Sequence, residues 1–274
     1  MANVATIDAA KIRPPAVAGR FYPADPVQLS ALINALLRQV TPSNFPPPKA
    51  LIVPHAGYVF SGPIAASAYA LLMPVRDIIK RVVLLGPSHY VSFEGLAATS
   101  VGAFATPLGD VEVDVEAVRR ICSLRQVVVL NEAHEREHAL EVQLPFLQTV
   151  LNTFKLVPLA VGRASAEEIS EVLDALWGGT ETRFVISSDL SHYFDYETAR
   201  HSDHVTAKAI EALKPGRIGE DQACGRNPIC GLLQTARQHG LHARTVDLRN
   251  SGDTSGPRDQ VVGYGAFAFE EKGP

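Results

Sequence analysis

Three times along this chain an apolar run of β-type residues ends within a few positions of a histidine. Ala50-Leu51-Ile52-Val53 runs into Pro54-His55-Ala56-Gly57-Tyr58, and Val82-Val83-Leu84-Leu85 into Gly86-Pro87-Ser88-His89. Phe184-Val185-Ile186 runs into Ser187-Ser188-Asp189-Leu190-Ser191-His192. Helical periodicity fills the segments between such runs, and the links are short. That alternation predicts a mostly parallel sheet covered by helices on both faces. In open sheets of this kind the ligand crevice lies beyond the carboxyl ends of the strands. The three histidines are therefore expected to converge.

With 274 residues and 46% hydrophobic content, the chain can bury a sizeable core. A formal net charge of -4 provides no electrostatic basis for binding nucleic acid or an anionic membrane. The N-terminal stretch lacks a charged segment followed by a long apolar one, so no signal peptide is expected. No run approaches the roughly 18 apolar residues of a membrane span. Cys122, Cys224 and Cys230 are odd in number and lack zinc-finger spacing. Reduced thiols in a cytoplasmic protein are the expectation.

In chain order, residues 1–12 read as a flexible lead-in to a single domain covering 1–274. Asp25-Pro26 predicts a helix N-cap with proline at the first helical position. A strand at 50–53 delivers His55, and Ser61 is expected to cap the helix that follows. A strand at 82–85 delivers His89, and the Gly- and Pro-punctuated stretch 93–114 suggests a hairpin. Asp114 caps a helix over 115–123, and 127–130 is another short strand. Leu140, Leu144, Leu147 and Leu151 mark an amphipathic helix in which Pro145 signals a kink or an early start. A strand follows at 155–161, and Ser165 with Glu168 forms a capping box for a helix over 166–177. A strand at 183–186 leads to Asp189 and His192, then helices cover 197–213 and the segment from Cys224-Pro228 to 238. Strands at 242–248 and 261–269 close the chain.

His55, His89 and His192 form the main candidate site, because imidazole serves both as transition-metal ligand and as general acid or base near neutral pH. Asp189, close to His192, is placed to orient that ring or share its proton. Cys224 opens a helix, where a thiolate would suit a soft or borderline metal, while composition alone favours a buried, inert cysteine. His138 and Glu141 stand three apart, share a helix face if the segment is helical, and would supply acid–base or supporting groups. His134-Glu135-Arg136-Glu137-His138 matches the H-E-x-x-H and H-x-x-E-H zinc-hydrolase patterns, but charge crowds the stretch where such a helix should be apolar. His201 and His204 read as a solvated helix face.

Taken together, several segments resemble the Memo family, whose prokaryotic members are called AmmeMemoRadiSam system protein B. They are Ala18-Gly19-Arg20-Phe21-Tyr22-Pro23, Pro54–Gly62, Leu85–His89, Glu137–Phe146, Ser187–Tyr193 and Cys224–Ile229. The resemblance implies the α/β/α architecture of the class III, LigB-like extradiol dioxygenases, which hold Fe(II) on two histidines and a carboxylate. It also implies that His55 and His89 are metal ligands and His192 the acid–base residue, with Cys224 standing where the dioxygenases have a glutamate. A His/His/Cys set favours Fe(II) or copper over zinc. The function so implied is metal-dependent, oxygen-linked oxidation of a small molecule, with radical-SAM and AMMECR1-type proteins as partners. The alternatives are a non-catalytic peptide- or protein-binding module on a vestigial dioxygenase fold, and a zinc hydrolase centred on His134 and His138. The cell-motility role ascribed to vertebrate members has no evident analogue in these residues.

Overall fold

The computed structural model describes residues 7–42 and 45–271. Its main sheet begins with β2 (Ala50–Val53), β3 (Arg81–Pro87), β8 (Lys155–Val161) and β9 (Thr182–Ser187), all mutually parallel. These strands are almost wholly buried, as runs without alternation require. β4 (Leu96–Ala98) runs antiparallel to β8 and carries β7 (Val127–Val129) beside it. At the other side β12 (Val261–Glu270) pairs antiparallel with β2, with β11 (His242–Asn250) and with the short β10 (His192–Phe194). Nine strands result, in the order β10-β12-β2-β9-β3-β8-β4-β7 with β11 on β12. The mixed α/β sheet with surrounding helices is the expected fold class.

Two helical groups cover the sheet. α1 (Pro26–Arg38), α2 (Tyr58–Tyr69) and α5 (Leu144–Val150) pack together, α2 resting on β2, β11 and β12. α6 (Ala166–Ala175) and α8 (Arg226–Gln238) form the second group, α8 contacting β3 and β9. α7 (Tyr196–Glu211) lies on β11 and β12, while α3 (Val115–Ile121) touches α6 and β8. The predicted caps are present: Asp25 accepts from Gln28, Asp114 from Ala117, and Ser165 with Glu168 closes a capping box.

Several expectations change. Asp8–Arg13, read as part of a flexible lead-in, forms β1 and pairs with β5 (Val101–Thr106) in a separate three-stranded sheet completed by β6 (Gly109–Glu112). Residues 1–6 of that lead-in lie outside the described residues. Ser61 is not the cap of α2: the helix starts earlier, after Gly57, and the Ser61 hydroxyl donates to the Ala56 carbonyl at 2.8 Å. The amphipathic segment begins only at Leu144, with Pro145 in its first turn and a 3-10 turn (Glu141–Gln143) before it. The continuous helical stretch Tyr58–Val75 has the length and mean hydropathy, 1.4 over 18 residues, to cross a membrane, yet 56% of it is buried in the protein. It is a core helix.

Two glycines allow backbones to close over the strand ends. A Cβ on Gly86 would stand 3.1 Å from the Ala139 Cβ and 3.3 Å from that of Ser187. One on Gly225 would stand 2.6 Å from the Ser188 Cβ and 2.9 Å from the Ser187 carbonyl oxygen. The turn carrying Cys224 can therefore reach the end of β9 only with glycine at 225. Gly225→Ala should lower unfolding stability by about 1–3 kcal/mol through overpacking. Urea denaturation checks this, and a change within experimental error would show that the turn yields freely.

Candidate metal centre

β2, β9 and β3 lie side by side, Val53 opposite Ser187 and Leu85 opposite Ile186. Because they are parallel, all three release their chains at one edge: His55 and Asp189 two residues beyond a paired position, His89 one position later. The His55 and His89 rings meet edge to face with centroids 5.3 Å apart. His138 joins them from the segment before α5, stacked on His89 at 4.6 Å and edge-on to His55 at 5.4 Å. One nitrogen from each of His55, His89 and His138 lies within 4.8 Å of the others, the cluster able to hold one ion among the described residues.

Hydrogen bonding fixes two of the tautomers. The Ser187 hydroxyl donates its one hydrogen to the Ala139 carbonyl at 2.6 Å and accepts from Gln143 Nε2 at 2.8 Å. His55 Nδ1, 2.8 Å from the same oxygen, must donate to it, which leaves the lone pair on Nε2. His89 Nδ1 lies 2.8 Å from Glu137 Oε1, and the His89 backbone N–H donates to Oε2 at 2.6 Å. Burial alone would push the Glu137 carboxyl up; the hydrogen bonds from the His89 ring and from the Ala139 and His89 N–H groups outweigh it and hold it at about 2. With that carboxylate ionised, His89 donates through Nδ1, so that the neutral tautomer has its lone pair on Nε2. His138 Nδ1 is buried without a hydrogen-bond partner, since its 3.4 Å approach to Glu137 Oε1 lacks hydrogen-bond geometry.

Cys224, at the turn before α8, places its sulfur 3.3 Å from His55 Nε2, the nitrogen bearing the lone pair. The Asp189 N–H donates to that sulfur at 3.3 Å. Burial, then the charge of Asp189, push the thiol up to about 12. The thiol has two acceptors in reach, His55 Nε2 at 3.3 Å and the Asp189 carbonyl at 3.6 Å. Burial also drives His55 down to about 3 and His138 to about 4, assisted by the neighbouring imidazoles. The centre gathers nitrogen and sulfur donors of the kind a transition ion takes, and the thiol would give up its proton on ligating one. One nitrogen of each ring lies within 4.8 Å of the others, and a sulfur stands 3.3 Å from His55 Nε2.

Asp189 and His192 stand beside this cluster in different roles. Asp189 is buried, accepts the His55 backbone N–H at 2.7 Å, and is raised above the usual carboxylate range by desolvation. It does not hold the His192 ring as expected; His192 Nδ1 donates instead to the Leu190 carbonyl at 2.8 Å. His192 Nε2 is left as an acceptor. Tyr193 sits in the left-handed region (φ 62), and the pairing of β10 with β12 shifts register between His192 and Phe194. This bulge sets His192 between two cavities. One, of 440 Å³, is lined by His138, Asp189 and His192 with Phe21, Phe60 and Tyr264 among its walls. The other, of 340 Å³, is lined by His192, Phe194 and Cys224. Another cavity, of 940 Å³, lies against Leu37, Met73 and Arg244 and touches none of these groups.

Glu141 does not line the cavity. It is fully buried, and its carboxylate contacts Arg13 and accepts from the N–H groups of Ala16 (2.7 Å) and Val17 (3.0 Å) and from the Tyr22 hydroxyl (2.5 Å). Every oxygen is thus committed to holding residues 13–22, whose Arg20 and Phe21 form one lip of the cavity. The zinc-hydrolase geometry is absent too. α4 (Glu132–Glu135) ends before His138, so His134 and His138 share no helix face. His134 is buried edge-on to Phe104, its Nε2 3.0 Å from the Ala97 carbonyl. His201 and His204 lie on exposed turns of α7. The residues that sequence reasoning missed are Glu137 and Ser187; the signal was polar identity at the strand end and beside a candidate ligand.

Glu141→Ala leaves the Arg13 guanidinium buried and unpaired and should destabilise the fold by about 3–5 kcal/mol. Chemical denaturation measures this, and a loss below about 1 kcal/mol would refute the clamp. Burial holds His134 down at about 4, against 6.5 when unfolded, so the unfolded chain takes up a proton that the folded one refuses. Stability is then full above pH 6.5 and falls as pH drops toward 4. In His134→Gln this acid-side loss should shrink by on the order of 3 kcal/mol, as denaturation curves across that range would reveal.

Comparison with known proteins agrees with the motifs. The family model described as Memo-like protein matches residues 13–268. A MEMO1 family protein of Aquifex aeolicus is 36% identical over 270 residues, covering 94% of this chain and 99% of that protein. One from Sulfolobus acidocaldarius is 36% identical over 282 residues (94% and 99%), and one from Aeropyrum pernix 37% over 282 (93% and 99%). Because the match runs through every strand and loop that builds the histidine cluster, this chain belongs to the Memo-like family.

Proposed function

We propose that this protein would hold one transition-metal ion, Fe(II) or copper, on His55 and His89, with Cys224 and His138 as flanking donors, for the oxidation of a small molecule with dioxygen as the electron acceptor. The observation that carries this reading is the cluster of one nitrogen each from His55, His89 and His138 within 4.8 Å of one another, with Nδ1 of His55 and His89 engaged elsewhere and the Cys224 sulfur beside His55 Nε2. When bound, the ion supplies redox chemistry and Lewis acidity. Borderline nitrogen with soft sulfur makes this set softer than a two-histidine, one-carboxylate triad and so more hospitable to copper as well as iron.

The remaining work falls to the chain itself. Phe21, Phe60 and Tyr264 give the 440 Å³ cavity apolar walls that hold a small molecule and displace water. His192 Nε2, with Nδ1 anchored on the Leu190 carbonyl, takes a proton from a hydroxyl or amine presented there. Asp189 fixes the His55 backbone and so keeps the ligand loop in register with the cavity. The family resemblance adds cytoplasmic location and radical-SAM and AMMECR1-type partners to the proposal.

The test is anaerobic titration of metal-free protein with Fe(II) and Cu(I), reading stoichiometry and affinity. One ion per chain is expected; His55→Ala and His89→Ala should abolish binding, and Cys224→Ser and His138→Ala should each weaken it. Unchanged binding by His55→Ala would refute the site. Binding without oxygen consumption on any small molecule would favour the non-catalytic binding module.

A further inference from the structure

We infer that Glu137 is a positioning residue for the metal site, a role that rests on the metal-binding reading above. Its carboxylate serves three N–H donors of the cluster's own backbone and ring. Oε2 accepts the His89 backbone N–H at 2.6 Å. Oε1 accepts the His89 ring Nδ1–H at 2.8 Å and the Ala139 N–H at 2.9 Å, and lies 3.4 Å from His138 Nδ1. A single carboxylate therefore ties the loop after β3 to the segment that bears His138. It also decides which nitrogen of His89 carries the proton.

The chemistry demands an acceptor at both oxygens. The His89 and Ala139 backbone N–H groups cannot reverse their polarity. The His89 ring can, by moving its proton from Nδ1 to Nε2, but doing so removes the lone pair that faces His55 and His138. An amide in place of the carboxylate puts an NH2 group against at least one of these donors, whichever way it is turned. If it meets the ring, the metal-facing nitrogen becomes protonated. If it meets the backbone, the His89 loop shifts away from the cluster. Carboxylate partners of metal-bound imidazoles act in this manner, and their loss weakens metal binding by roughly 10–100-fold.

The experiment compares wild type, Glu137→Gln and Glu137→Asp with Co(II) as probe ion, measured by competition against a chromogenic chelator. Nitrogen-15 NMR of the metal-free proteins reports the His89 tautomer independently. Wild type should show Nδ1–H at His89. Glu137→Gln should lose that signature or, where the ring bond is kept, shift the His89 backbone amide resonance, and should bind Co(II) 10–100-fold more weakly, as expected for a lost carboxylate partner. Glu137→Asp, which keeps both oxygens, should recover part of the affinity. Equal Co(II) affinity in wild type and Glu137→Gln, or an Asp variant no better than Gln, would overturn the inference. If wild type binds no Co(II), the metal reading fails, and an unchanged His89 tautomer together with an unshifted His89 backbone amide resonance in Glu137→Gln would overturn the positioning role as well.

Discussion

The buried contact between Arg13 and Glu141 is the interaction on which the candidate site depends. Arg13 comes from the end of β1, in the smaller sheet, and also donates to the carbonyls of His134 (3.0 Å) and Glu137 (2.7 Å). Glu141 in turn holds Ala16, Val17 and Tyr22. One ion pair thus fixes both the segment 134–141, which supplies His138 and Glu137, and the strap that forms a lip of the cavity. A buried charge pair is stabilising only when its other polar partners are supplied, and here they are. Removing either partner would expose the histidine cluster to the freedom of two loops.

Much of the fold could be read from the residues because the local signals agreed. Strands at 50–53 and 155–161 have the predicted limits, since apolar runs bounded by proline, glycine or charge leave little choice. Capping chemistry located α1, α3 and α6 for the same reason. The convergence of His55 and His89 followed from topology alone. What could not be read depended on tertiary contacts. Apolar periodicity begins only at Leu140 and gives no guide to residues 136–140, where carbonyls taken up by Arg13 and the demands of Glu137 hold the chain irregular. That irregularity moves His138 into the cluster and leaves His134 in the core. β1 was hidden because its residues are exposed except at Arg13, so no periodicity betrays it. The bulge at Tyr193 left no mark, as a left-handed tyrosine has no sequence signature.

Electrostatically the cluster is unusual in what it lacks. Three imidazoles and a thiol are packed together, and burial keeps His55, His138 and Cys224 uncharged near neutral pH. The negative charge nearest the rings, Glu137, is saturated with hydrogen bonds to the loops that carry them. Such a cluster avoids repulsion among its own members while keeping donors free. It is pre-organised without being self-satisfied.

The spacing of the two principal histidines has a further consequence. β2 and β3 are not neighbours; β9 runs between them, so their backbones stand about 9–10 Å apart. The rings nevertheless meet with centroids 5.3 Å apart. Both must lean inward over the end of β9, where Ser187 is the side chain in contact with His55. Ser187 acts as the keystone of an arch: it is small, and its hydroxyl ties the His55 side to the Ala139 carbonyl above. A larger side chain at 187 would pry the arch open. The aperture available to an ion therefore depends on one of the smallest side chains in the centre as well as on the histidines themselves.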